Sequence, residues 1–183
     1  SALQVCLDAG DGDSAPSGAT SWLDTSGNGH DFFRGTGSGG EAADPTFTGT
    51  VGNLSSGEYW AHDGADYFRY DTTNETWMQN MHKDNAQWTF MAWIYMTSAM
   101  SMSFLGDAGT SGGRNGVSIR STSGSFQLSV TNAGSSVQLL TFGTAMPLNA
   151  WQFIAVSQNE LDASTGLHMR DGGNSFTGNG TYT

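Results

Sequence analysis

Acidic residues recur in short clusters along this chain: Asp8, Asp11 and Asp13 in D-A-G-D-G-D, Asp24 with Asn28 in D-T-S-G-N, and Asp63 with Asp66 in D-G-A-D. A hard cation such as Ca2+ collects about six to eight oxygens from carboxylates and loop carbonyls, so such clusters are its candidate ligands. None follows EF-hand spacing. Asp, Asn and Gly are equally what tight turns select, and turn chemistry accounts for all three clusters without a metal. The four histidines, His30, His62, His82 and His168, lie far apart in sequence and read as surface or half-buried side chains. There is no G-x-S-x-G, no H-E-x-x-H, no phosphate-cradling loop and no Cys/His cluster, so catalysis is not expected. Cys6 stands alone in L-Q-V-C-L, where a buried inert thiol is favoured over a nucleophile.

Binding chemistry is more plausible than catalysis. A glycan site needs an aromatic ring to stack on a sugar, with amide or carboxylate groups nearby. Trp60, Tyr67, Tyr70 and Trp77 are the candidates because they stand beside loops, with structural packing as the competing reading. Trp88, Trp93 and Trp151 sit in apolar runs and are expected in the core. The sequons at Asn53, Asn74 and Asn179 matter only in a eukaryotic secretory pathway.

The elements that must position these residues are strands. Trp88 to Met96 is apolar on both of its period-two faces, Trp88/Phe90/Ala92/Ile94/Met96 and Thr89/Met91/Trp93/Tyr95. This predicts a central strand covered on both sides, with Trp151 to Val156 as its neighbour. Further strands are expected at Leu3–Asp8, Phe47–Leu54, Glu58–His62, Tyr67–Tyr70 and Ser103–Leu105. Val117–Thr122, Ser125–Val130 and Val137–Phe142 read as a meander, with a turn at Ser123-Gly124. Leu167–Arg170 is expected to pair with the second central strand across a polar loop. Asn74 to Ala86 is the one expected helix, with Trp77 and Met81 on one face. The sequence predicts one all-β domain over residues 1–183.

Composition agrees. Hydrophobic residues are 37% of the chain, a low share offset by six Trp and ten Phe, each of which removes a large area from water when buried. The formal charge is −11, with 17 acidic and six basic residues, and the arginines are scattered. A phosphate-binding surface needs clustered Lys and Arg, so nucleic acid is not an expected partner. No apolar run is long enough for a membrane-crossing helix.

In order along the chain, L-D-A-G (7–10), W-L-D-T-S-G-N-G-H (22–30), D-G-A-D-Y (63–67), W-T-F-M-A-W-I-Y-M-T-S (88–98), the W-Q-F-I-A-V run and L-H-M-R-D-G-G (167–173) resemble the motifs of concanavalin A-like jelly rolls of the laminin-G-like type. The resemblance implies an antiparallel β-sandwich that serves as an adhesion or binding module on extracellular proteins, or as a bacteriophage structural protein. It favours Asp24, Asp63 and Asp66 as Ca2+ ligands by the likeness of their turns. Members of that fold usually continue with another strand or two after the D-G hairpin. A chain stopping at Thr183 implies a trimmed fold, an incomplete chain or an edge strand supplied by a neighbouring chain. The fold also hosts retaining glucanases, which need two adjacent carboxylates on an E-x-D-x-x-E strand. Here the nearest match, Glu160 to Thr165, ends in threonine and reads as a turn.

The expectation is therefore a non-catalytic module at an extracellular or virion surface. Its partner is a glycan or surface protein; the alternative is a capsid-decoration or tail component whose partners are assembly subunits, including copies of itself. A glycoside hydrolase is the remote alternative.

Overall fold

The computed structural model describes residues 3–37, 40–55, 57–70, 77–82, 85–106, 116–132, 135–159, 164–171 and 174–180. The described chain is almost entirely β-strand and turn, as the short apolar runs and many glycines require. It divides into two compact units, Ser1–Thr76 and Trp77–Thr183.

The first unit holds five short strands: β1 (Ser21–Trp22), β2 (Phe32–Arg34), β3 (Thr46–Thr48), β4 (Tyr59–Ala61) and β5 (Phe68–Tyr70). β1, β2 and β5 form one antiparallel sheet, and β3 pairs with β4. Aromatic rings supply the packing that so few aliphatics cannot. Trp60 lies 5.3 Å from both Phe47 and Phe68, and Trp22 lies 5.2 Å from Phe68. The expected first strand is not formed. Residues 3–8 run without a sheet partner and Leu3 is exposed, so the alternation of Leu3, Val5 and Leu7 does not mark a buried face. Cys6 is half-buried rather than sealed in a core.

The second unit opens with a 3-10 helix, Trp77–His82, which buries Met78 and Met81. This short element is what remains of the expected helix; residues 74–76, 83 and 84 lie outside the described residues. Eight strands follow: β6 (Gln87–Tyr95), β7 (Met102–Gly106), β8 (Gly116–Thr122), β9 (Ser125–Asn132), β10 (Ser135–Ala145), β11 (Trp151–Asn159), β12 (Ser164–Asp171) and β13 (Asn174–Gly180). β7 to β10 form a four-stranded meander in chain order, and β6, β11, β12 and β13 form a second four-stranded sheet. The β8–β9 hairpin turns at Ser123 (φ 50°) and Gly124 (φ 83°). Two successive positive φ values match the right-handed twist of the flanking strands. β13 is the second arm of the D-G hairpin and pairs along its whole length with β12.

The core of this unit comprises Val117, Ile119, Phe126, Leu128, Ile154 and Val156, all buried. β6 and β11 pair antiparallel over nine residues without a bulge, from Trp151 opposite Tyr95 to Asn159 opposite Gln87. Pairing in that register puts Gln152, Ile154, Val156 and Gln158 of β11 on the same face as Ile94, Ala92, Phe90 and Trp88 of β6, and this face is the inner one. The expectation of a strand covered on both sides is therefore corrected. Thr89, Met91, Trp93 and Tyr95 face solvent.

These assignments make opposite demands on the two faces. Ile154→Ala empties a fully buried position and is expected to cost about 2–5 kcal/mol, because the cavity only partly collapses. Trp93→Ala, on the open face, is expected to cost no more than about 1 kcal/mol. Urea denaturation of both variants, with the slope of the transition unchanged, measures the difference; equal losses would contradict the assignment of faces.

Candidate functional site: an open aromatic ladder

The outer face of β6 and β11 is a ladder of directly opposed residues: Tyr95 with Trp151, Trp93 with Phe153, Met91 with Ala155, and Thr89 with Ser157. The rings of Trp93 and Phe153 lie 5.4 Å apart at 57°, and those of Tyr95 and Trp151 lie 5.5 Å apart at 64°. Cross-strand aromatic pairs of this kind hold each other's orientation. Even so, 65% of Trp93, 61% of Met91, 46% of Tyr95 and 37% of Trp151 remain exposed. Successive rungs are two residues apart along a strand, about 6.5–7 Å. Neither nine-residue strand contains Asp, Glu, Lys or Arg, although charged residues make up 13% of the chain. Within these two strands the face is apolar and carries no charged residue; at its border Arg170 of β12 pairs with Phe153. A contiguous exposed patch of that character is what a binding surface requires and what a purely structural face avoids.

Sequence reasoning missed these residues by assigning Trp93 and Trp151 to the core. Both faces of β6 are apolar, and periodicity alone gives no reason to leave one open. Nor does β11 supply the signal: Gln152 and Gln158 bracket one face, which polarity would mark as the outer one, but in the structure it is the buried one, and the Gln152 amide donates to the Pro147 carbonyl.

The loop aromatics expected to bind are divided between the two units. Trp60 is packed within the aromatic cluster of the first unit. Tyr70 meets Phe32 edge-on at 6.1 Å in the β2–β5 pair. Tyr67 is exposed, and its backbone bonds the chain at Gly35 and Ala43. Trp77 starts the 3-10 helix of the second unit. The nearest match to a glucanase strand, from Glu160, lies largely outside the described residues.

Asp24 is a structural hub. Its Oδ1 accepts from the backbone N–H of Cys6 (2.8 Å) and Ser26 (2.9 Å), and its Oδ2 from the His30 N–H (3.0 Å) and the Ser26 hydroxyl (2.7 Å). Asp31 accepts in turn from the Asp24 N–H. Asn28 donates through Nδ2 to the carbonyls of Leu3 and Gln4. Gly27 and Gly29 take φ values of 89° and 73°, which let the turn fold back over the carboxylate. The D-x-S-G-N-G-H stretch therefore closes on itself and pins residues 3–6. Hydrogens are thus aimed at both oxygens of the Asp24 carboxylate. Asp63 accepts from the Ala65 N–H and Asp66 from the Asp63 N–H, each through one oxygen, in an exposed turn. Asp8 and Asp11 likewise accept from amides two residues on. Among the described residues, no three His, Cys, Asp or Glu side chains gather as a metal-ligand group.

Partial burial pushes the Asp24 carboxyl up, but the donors of Cys6, Ser26 and His30 outweigh it and the net direction is below its ordinary value of 3.8. A depressed carboxyl contributes stability that is fully present above pH 3.8 and lost as the pH falls through the lowered folded-state value. Asp24→Ala is expected to destabilise the protein by about 2 kcal/mol at neutral pH, the order of magnitude for losing hydrogen bonds to a charged acceptor. The gap between variant and parent should narrow below pH 3.8. A gap that stays constant down to pH 2 would show that the ionised carboxylate is not what holds the turn.

Comparison of the chain with known proteins finds no matching family model, no matching curated protein and no matching solved structure.

Proposed function

We propose that this chain is a non-catalytic jelly-roll module of the concanavalin A-like, laminin-G-like type, working at an extracellular or virion surface, and that it binds a glycan on the outer face of β6 and β11. The observation that carries the reading is the open ladder of Trp93, Phe153, Tyr95 and Trp151. Pyranose rings present apolar C–H faces that stack on indole and phenol rings, and desolvating both is favourable without any charge. Rungs spaced along a straight strand suit an extended chain of neutral sugars better than a single compact one. Mounting on a paired sheet rather than on loops keeps the rings in place before the ligand arrives, which lowers the ordering cost of binding.

The same face supports a second reading, assembly, because an apolar pair of strands can equally be covered by another copy of the chain, as in a decoration or tail component. A Ca2+ brace is placed by this proposal at the Asp63/Asp66 turn, where each carboxylate keeps one oxygen without a hydrogen bond among the described residues. A fall in Tm on adding EDTA supports the brace, and an unchanged Tm removes calcium from the proposal.

The decisive pair of measurements is light scattering and a glycan array, run on the parent chain and on Trp93→Ala. A monomer that binds neutral glycans, with affinity falling at least tenfold (about 1.4 kcal/mol) in the variant, supports the glycan reading. An oligomer that dissociates on Trp93→Ala supports assembly. A monomer that binds no glycan sinks both.

A further inference from the structure

A second candidate site lies in the first unit, remote in sequence from the aromatic ladder and independent of the reading given to it. A pocket of about 210 Å3 is lined by Pro16, Ala19, Phe47, Val51 and Trp60 together with Arg34, its only charged lining residue. Arg34 is held in place at three points. Its Nε donates to the Pro45 carbonyl (3.1 Å) and its Nη1 to the Ala19 carbonyl (3.0 Å), and its guanidinium carbon lies 5.2 Å from the centre of the Trp60 ring. All three contacts are with neutral groups. Among the described residues, Arg34 pairs with no carboxylate and its Nη2 donates no hydrogen bond.

Arg69 and Arg120 likewise bond only neutral groups, but of the described arginines Arg34 is the one that lines this pocket. Two carbonyls fix the orientation of the guanidinium but leave its charge unneutralised. Nη2 keeps its N–H groups for an anionic acceptor, and a carboxylate takes charge-assisted hydrogen bonds from a guanidinium. The rest of the lining is mostly apolar, with Phe47 and Val51 available to cover a ring or a short hydrocarbon stem. The volume sets the size, because drug-sized ligands occupy about 300–1,000 Å3. This pocket takes one ring, not an oligosaccharide or a long acyl chain.

We propose that this pocket binds a small carboxylate carried on a single ring, with the carboxylate on Arg34 Nη2 and the ring against Phe47 and Val51. Aromatic acids and uronic-acid sugars share that chemistry, and titration separates them. The probes are sodium benzoate and sodium glucuronate. Benzyl alcohol and glucose serve as their neutral counterparts, and sodium sulfate as a plain anion. The readout is the Nε–H resonance of Arg34 in the isotope-labelled full chain.

The expected result is a saturable shift with at least one of the two acids, and binding at least tenfold weaker for the matching neutral compound and for sulfate. Arg34→Gln removes that reporter, so this variant is followed on the indole N–H of Trp60, which lines the same pocket and whose shift with acid the substitution should abolish. Because that change also removes ties to Pro45 and Ala19, Val51→Trp provides the second test. It fills the pocket from a side chain that is 38% exposed and leaves every Arg34 hydrogen bond in place, so it too should abolish the shift. Trp93→Ala should leave the shift unchanged, which separates this site from the sheet face. A response absent at tens of millimolar acid, equal for the neutral compounds or sulfate, or surviving Val51→Trp would overturn the proposal.

Discussion

The second unit depends on one continuous pairing, the nine-residue ladder between β6 and β11. The two strands are separated in sequence by the whole β7–β10 meander, so the ladder closes a long excursion and brings distant apolar runs into one sheet. Every rung commits two side chains inward and the next two outward, because the strand period is two. The inward set joins the buried residues of the unit, Ile154 and Val156 among them. The outward set becomes an aromatic surface as a direct result. Core and candidate site are thus two sides of the same hydrogen-bonded object, and a change of register would exchange them.

Hydrophobicity alone gives little protection against that exchange. Both faces of β6 are apolar, and the outer residues of β11 include Trp151 and Phe153. Gln152 and Gln158 break the symmetry. A long polar side chain at each end of the inner face of β11 needs partners that an apolar interior lacks, and Gln152 finds one in the Pro147 carbonyl. The Oε1 atoms of Gln152 and Gln158 are nonetheless buried with no hydrogen-bond partner among the described residues, so the two glutamines penalise the observed register and its apolar residues must outweigh them.

Much of the strand order was legible in the sequence. The meander, its Ser123-Gly124 turn and the two central strands followed from alternation and turn residues, which are local signals. Three things were not legible, for physical reasons. The openness of one β6 face depends on what the fold leaves uncovered, and composition carries no trace of that, so Trp93 and Trp151 were assigned to the interior. The strand expected at Leu3–Asp8 failed because alternating apolar residues do not form a strand without a partner edge; the segment spends its backbone groups on a turn instead. The tie between Asp24 and Cys6 joins residues 18 apart through a side chain and a backbone amide, a contact with no sequence period. The D-x-S-G-N-G-H motif was read as a tight turn, and it is one. What the sequence did not reveal is that its aspartate spends both oxygens on the turn and on the segment before it.

That last arrangement has a consequence for how the chain can vary. Asp24 and Asn28 grip residues 3–6 almost wholly through main-chain atoms: the amide of Cys6 and the carbonyls of Leu3 and Gln4. The side chain of Leu3 is exposed, as a grip on the main chain permits. The leading segment is therefore replaceable as a module. Another segment of the same backbone path would meet the same carboxylate and amide, so the clasp reads a path and not a set of side chains.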